Sequence, residues 1–326
     1  MNLNFSAIKE SKNLLAFSAG VDSTALFFLL REQNIPFDIA IVNYNVRVQS
    51  KEELAYAKEL ATKYNKQIFI KEVTLENLSN FEKKARDIRY SFFEEIINSN
   101  SYEILMTAHQ LNDKLEWFLM QLTKGAGLFE LIGFNKFEQK QNYKIYKPLL
   151  NITKEELENY LKTNNHKYFI DQSNYDEKYK RNYFRHNFSD KLLYEFKEGI
   201  KNSFDYLQND LNSLNIQIKP IKKIKELEIF TNQKDDNLNI RFIDISLKKR
   251  GILLSKAQRD EILKQKELTI SHMINITILE DYIYIAPACN EIMDKKFKES
   301  CRIKNIPKNI RSYIFKNNID LNELIF

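Results

Sequence analysis

Along the first two hundred residues, short apolar runs alternate with stretches whose apolar positions recur every three or four residues. Asn13–Ser18 (NLLAFS), Phe37–Asn43 (FDIAIVN), Gln67–Lys71 and Tyr102–Ala108 (YEILMTA) read as buried strands. Helical periodicity follows each one, over Asp22–Gln33, Lys51–Tyr64, Phe81–Asn98 and Leu111–Thr123. Strands alternating with helices of this length predict an α/β fold: βαβ units and a parallel sheet with helices on both faces. Ligands of such sheets sit beyond the carboxyl ends of the strands, which directs the search for chemistry to those ends. Past residue 200, helical patterns dominate (Ile200–Leu214, Asn239–Lys249, Ser255–Lys266), with two strands, Thr269–Ile276 and Tyr282–Ala286. The pattern breaks among Asn and Ser residues ahead of Pro220. The expectation is two domains, 1–210 and 211–326, the second smaller and mainly helical.

Composition narrows this picture. At 43% hydrophobic and 13% aromatic, the 326 residues carry ample apolar area for folded cores, which excludes wholesale disorder. Glycine occurs only 6 times, so each one is informative. The formal charge of +6 permits a nucleic-acid partner without requiring one; most of the excess lies in residues 201–326, with 22 basic against 17 acidic groups. The two cysteines, Cys289 and Cys301, form no C-x-x-C pair, so neither a zinc nor a redox site is indicated. With no apolar signal region at the N-terminus and no run of about 18 apolar residues, a cytoplasmic protein with no membrane association is expected.

The first strand runs straight into Ser18-Ala19-Gly20-Val21-Asp22-Ser23-Thr24 and then a helix. Amides at a helix N-terminus have no intrahelical acceptor, and the helix dipole favours an anion there. Gly20 allows close backbone approach, and Ser18, Ser23 and Thr24 offer hydroxyl donors. A well-capped helix without ligand is the plain alternative, since Asp22 and Ser23 are good capping residues. The spacing is not that of a Walker A loop. It resembles the S-G-G-x-D-S signature of the PP-loop ATP pyrophosphatases, whose members split ATP into AMP and pyrophosphate. Ala19 stands where that motif has its first glycine and keeps the turn if its φ is negative.

After the fourth strand, His109, Asp113 and Glu116 share one helical face while Leu111, Leu115, Phe118, Leu119 and Leu122 share the opposite one. A carboxylate pair at a sheet's carboxyl edge can hold Mg2+ or a substrate ammonium; by themselves, acidic residues in a first turn are ordinary helix-dipole complement. In context the block resembles H-x-x-D-D-Q-x-E-T of the lysidine synthases, a family of that superfamily. The departures are Asn112, Lys114 and Trp117 for its first aspartate, glutamine and threonine. Lys124-Gly125-Ala126-Gly127-Leu128 is similar to the family's R-G-[ST]-G-L. Val42-Asn43-Tyr44-Asn45-Val46-Arg47 resembles V-N-H-G-L-R, and Ala85-Arg86-Asp87-Ile88-Arg89-Tyr90 resembles A-R-x-x-R-Y. Asp171-Gln172-Ser173-Asn174-Tyr175-Asp176 followed by Arg181-Asn182-Tyr183-Phe184-Arg185 is similar to D-x-S-N-x-D…R-N-x-x-R. In this last segment basic and aromatic residues alternate, a composition that suits RNA phosphates and unpaired bases but is also common on ordinary surfaces.

The resemblance, five blocks in family order over residues 12–200, implies an enzyme. It would ligate free L-lysine to C2 of the wobble cytidine of a tRNA(Ile) with a CAU anticodon, through an adenylated cytidine, releasing pyrophosphate and AMP. It implies ATP on Ser18, Ala19, Gly20, Val21, Asp22, Ser23 and Thr24, with Mg2+ at Asp22. Asp22, Asp113, Glu116 and His109 take the catalytic roles, and Arg47, Arg86, Arg89, Lys124, Arg181, Asn182 and Arg185 contact tRNA or substrate. The C-terminal domain would bind tRNA. Two alternatives stand beside it. A PP-loop relative that thiolates tRNA needs cysteines or an iron–sulfur cluster, and residues 1–288 contain no cysteine. A degenerate member would bind tRNA without catalysis.

Overall fold

In the computed structural model, residues 3–45, 49–73, 81–171, 178–213 and 219–324 are described. The four apolar runs become β1 (Asn13–Ala16), β2 (Asp38–Asn43), β3 (Ile68–Glu72) and β4 (Ile104–Met106). The expected helices follow them as α1 (Val21–Glu32), α2 (Gln49–Lys63), α3 (Phe81–Asn100) and α4 (Leu111–Leu122). Beyond α4 come a short α5 (Leu128–Ile132), two strands absent from the sequence pattern, β5 (Phe137–Gln139) and β6 (Lys144–Tyr146), and α6 (Lys154–Thr163). The sheet order is β3-β2-β1-β4-β6-β5; all neighbours are parallel except the β5–β6 hairpin at one edge.

Strand residues alternate between two cores, as the pleat demands. Leu15, Ile39, Ile41 and Met106 pack with Phe27 and Leu30 of α1 and Leu157 and Leu161 of α6. Leu14, Ala40 and Leu105 point the other way, onto Phe92, Phe93, Ile96 and Ile97 of α3. This is the α/β arrangement the pattern predicted, and it puts the N-termini of α1, α4 and α6 at one sheet edge. The chain then continues through α7 (Lys180–Phe184), one π-turn (Arg185–Ser189) and α8 (Asp190–Ser213). α8 begins ten residues ahead of the predicted Ile200 and carries a kink at Phe196.

The chain divides into two compact units, Met1–Asn215 and Ile216–Phe326. The second holds a five-stranded antiparallel sheet ordered β7 (Lys222–Ile224), β8 (Leu227–Thr231), β11 (Tyr282–Pro287), β10 (Ile274–Ile278), β9 (Glu267–Ile270). Its helices α9 (Asp236–Lys249) and α10 (Lys256–Gln265) pack on one face, α11 (Lys295–Ile303) and α12 (Lys308–Lys316) on the other. Ile283 and Ile285 thus face α9 and α10, while Tyr284 and Ala286 face α11 and α12. The single strand read over Thr269–Ile276 is a hairpin that reverses at Ser271 and His272, both at positive φ (50° and 56°). Neither residue is the Asn or Gly that usually announces such a turn, which is why the pattern missed it. No helix among the described residues is long and apolar enough to cross a membrane.

Candidate functional site

The loop from β1 to α1 differs from the entrances of α4, α6, α9, α10 and α11, although α5, α7 and α12 likewise carry no side-chain cap. Gln110, Thr153, Asp235, Ser255 and Asp294 cap α4, α6, α9, α10 and α11 with side-chain acceptors. At α1 the N-cap is Gly20, and no side chain caps it. The hydroxyls that might have done so are spent on the loop itself: Ser23 Oγ accepts from Ser18 N (3.1 Å), lies 3.0 Å from Ser18 Oγ and donates to Gly20 O (3.3 Å). The first-turn amides of α1 are therefore left for an external acceptor, which the plain capped-helix reading does not explain. Thr24 Oγ1 and Asp22 Oδ1 are buried and meet no hydrogen-bond partner.

The loop geometry corrects one expectation. Ala19 does not keep a negative φ: it sits at +60° with no exposed surface, whereas Gly20 has an ordinary φ of −74°. The left-handed position thus falls on the alanine, at a cost of about 1 kcal/mol. The strain is held by the Phe169 N–H, which donates to Ala19 O at 3.0 Å in a bridge between Gly20 and Phe169. Asn45, which stands where V-N-H-G-L-R has glycine, is likewise left-handed (φ 52°), a conformation asparagine tolerates.

Asp22 sits in the first turn of α1. Burial pushes its carboxyl up to about 7, the Asp113 charge adds to this, and Lys154 and Arg185 oppose it. That electrostatic reach shows the β1, β4 and β6 edges converging. Asp113 and Glu116 on α4 meet Arg181 of α7 and Arg185 of the π-turn. Arg181 Nη2 donates to Asp113 Oδ1, and its Nε to Glu116 Oε2 at 2.7 Å; Arg185 Nε donates to Glu116 Oε1 at 2.6 Å. Asp113 Oδ2 also accepts from Gln110 N (3.1 Å), so the residue serves as a cap as well. Burial would raise the Asp113 pKa, but Arg181 foremost outweighs it and holds the carboxyl below its ordinary range. The two arginines are correspondingly raised. Thus residues assigned separately, carboxylates to catalysis and arginines to RNA, form one charge-balanced clamp. The Arg181 side chain is 46% exposed and that of Arg185 only 11%.

His109 lies at the head of α4, its Nδ1 2.9 Å from Thr107 Oγ1. Burial lowers its pKa to about 4, so the ring is neutral near pH 7. Arg86 of α3 is exposed, with its guanidinium 4.6 Å from the Tyr90 ring centre, and acts electrostatically on His109. Arg89 is exposed on the same helix, and Asn182 is buried in α7. Lys124 is exposed at the opposite end of α4 from His109, in the turn that Gly125 closes at φ +71°. Arg47 and the block Gln172–Asp176 lie outside the described residues.

Sequence reasoning missed two participants. Lys154 opens α6 behind the capping box Thr153-x-x-Glu156, whose signature is legible in the sequence. Asn112, read only as a departure from the motif, ties three elements together: Nδ2 donates to Asp190 Oδ1 at 2.8 Å, and Oδ1 accepts from Lys154 N at 3.1 Å. A carboxylate at 112 would face that of Asp190. Beside this tie opens a cleft of 610 Å3 lined by Asn112, Lys154, Arg185, Asp190 and Tyr194 among others.

An uncapped phosphate-type loop after β1, converging with the head of α4 at the carboxyl edge of a parallel sheet, defines a nucleotide-handling α/β protein of the PP-loop class. Residues 2–192 accordingly match the family model described as the PP-loop domain. The chain is 44% identical to a tRNA(Ile)-lysidine synthase of Campylobacter jejuni (strain RM1221), over 98% of its own length and 97% of that protein's. It is 43% identical to the enzyme of Wolinella succinogenes (96% and 95% covered) and 40% to that of Helicobacter pylori (94% and 90%). The chain belongs to the tRNA(Ile)-lysidine synthase family. Among solved structures, a U34-tRNA thiolase from Methanococcus maripaludis shares the fold at TM-score 0.50 and 18% identity, covering 67% of this chain and 76% of that one.

Proposed function

We propose that this chain ligates free L-lysine to C2 of the wobble cytidine of a tRNA(Ile) with a CAU anticodon, using ATP. The observation that carries the reading is the uncapped α1 entrance, with an unpartnered buried oxygen of Asp22 in its first turn, within electrostatic reach of Asp113 and Glu116. The cytosine O2 attacks the α-phosphate of ATP; pyrophosphate leaves from the Ser18–Thr24 loop, whose amides and helix dipole stabilise its charge. The ε-amine of lysine then attacks C2 and expels AMP. Sulfur transfer is disfavoured, since both cysteines, 289 and 301, lie outside the matched PP-loop domain.

Mg2+ fits the site in a limited way. The described residues contain no group of three metal-ligating side chains, so no all-protein cage is present among them. The unpartnered Asp22 Oδ1 is the oxygen donor that would suit a hard cation. Bound there, Mg2+ would neutralise charge on the phosphates. Asp113 and Glu116 bind the lysine ammonium and take its proton, because attack needs a neutral nitrogen. Since both carboxylates already hold guanidinium groups, the ammonium enters by exchange with one of them. Arg181, the more exposed, swings out and becomes available to an RNA phosphate, while Arg185 stays. His109 positions the base, and Arg47, Arg86, Arg89, Lys124 and Asn182 support tRNA or substrate. The second unit, with most of the basic excess, holds the tRNA body away from the anticodon. Such an enzyme works in the cytoplasm, where tRNA, ATP and lysine meet.

Mass spectrometry of tRNA(Ile) transcripts after incubation with ATP, Mg2+ and isotope-labelled lysine tests the reading. The expected product is a cytidine heavier by one lysine less water, with one pyrophosphate and one AMP released per turnover. Unmodified cytidine with tRNA still bound would leave the non-catalytic alternative.

A further inference from the structure

One turn along α4 from Asp113, and next to Glu116, stands Trp117, the only tryptophan of the chain. Three rings meet there. Phe134 lies between Trp117 (centroids 6.0 Å apart, planes at 85°) and His109 (5.4 Å, 49°). Each outer ring is fixed from behind: the indole Nε1 donates to Glu130 O at 2.7 Å, and the imidazole Nδ1 contacts Thr107 Oγ1. Gly133 makes the approach possible, because a Cβ built there would lie 2.0 Å from the indole nitrogen, and its φ is +58°. These rings are not part of the apolar interior. None belongs to a buried core cluster, although Leu111 and Leu115 on the other side of α4 do, and Trp117 is 38% exposed. The exposed Arg86 acts on the His109 charge, which Asp113 opposes, while the buried Lys147 is paired with Glu138 at 3.1 Å.

An aromatic cluster whose tryptophan is open to solvent, within electrostatic reach of the exposed Arg86 and adjacent to paired carboxylates, suits a flat π-system carried on a polyanion. We propose that Phe134 and Trp117, with His109, form a stacking platform that receives an unpaired RNA base at this site. The inference rests on the tRNA-modifying reading and adds two residues to it. Trp117 is a departure from the family motif, so this chain builds the platform with a ring where the motif has threonine.

The sole tryptophan makes the test direct. Trp117 fluorescence of the full chain is titrated with an anticodon stem-loop RNA bearing CAU, and separately with ATP and Mg2+. The RNA should quench the emission and ATP alone should not. Phe134→Leu, which keeps apolar bulk but removes the π-face, should weaken stem-loop binding about 10-fold, and Phe134→Tyr should retain it. Quenching by ATP alone would reassign the platform to adenine and overturn the proposal, as would stem-loop affinity unchanged in a Phe134→Leu protein that melts like wild type. Quenching by RNA with no lysine incorporation would sustain the platform while the proposed reaction fails, so the two readings separate.

Discussion

Two groups of buried carboxylates sit at the same sheet edge and are treated in opposite ways. Asp113 and Glu116 are met by two guanidinium groups and a backbone amide, and the Asp113 pKa is held down. Asp22 has an oxygen with no partner and a pKa pushed up to about 7. A folded chain leaves a buried acid unpaired at a real cost, because desolvation disfavours the charged form. The comparison teaches which carboxylate awaits a cation from outside and which pair already holds cations that a substrate must displace.

Breaking the satisfied side should have the largest effect. Glu116→Ala removes one of the two carboxylates that Arg181 and Arg185 share, leaving only Asp113, and should lower the unfolding free energy by about 3 kcal/mol, read from urea midpoints; the half-exposed Arg181 keeps the loss toward the low end. A midpoint within error of wild type would make the clamp energetically idle.

On the open side the sign reverses. Asp22→Asn should reduce pyrophosphate release by at least ~100-fold while stabilising the free protein. The Asp22 pKa is raised from 3.8 to about 7, so the folded state holds more protons than the unfolded one in that window, and stability falls as pH rises through it. The melting-temperature advantage of Asp22→Asn should accordingly grow between about pH 4 and pH 7 and then level off. An advantage that shrinks with pH would contradict the burial argument.

A smaller effect sharpens the link between the two groups. Asn112→Asp should destabilise by about 1 kcal/mol, since the new carboxylate confronts a partly solvated Asp190, and adding Asp190→Asn should recover most of it. Failure of the double variant to recover would mean that the Lys154 N–H contact, not the Asp190 bond, matters. Smallest of all is Ala19→Gly. It removes about 1 kcal/mol of left-handed strain but frees the unfolded chain by a similar amount, so melting temperature and turnover should scarcely move.

Much of the frame was legible residue by residue. Leu14 and Leu15 in β1, followed by the Ser18–Thr24 loop and the periodic α1, announced a strand–loop–helix unit because apolar alternation and helical period are local properties. Other elements were hidden. β5 and β6 are three residues each, too short to show a period, and they exist because β4 offers an edge to pair with. The Ser271–His272 turn lacks the residues that mark a reversal.

The amino-acid order by itself determined the parallel α/β frame, the family motifs and the types of residue at the sheet edge, since each is written within a dozen neighbouring positions. Only the tertiary structure decided how those residues are partnered. Arg181 is 65 positions from the Glu116 it binds, and Asp190 is 78 from Asn112. Whether a carboxylate is neutralised by a guanidinium or left facing a ligand depends on Coulomb interaction across a few ångströms of a desolvated interior, a distance set by packing and not by chain separation.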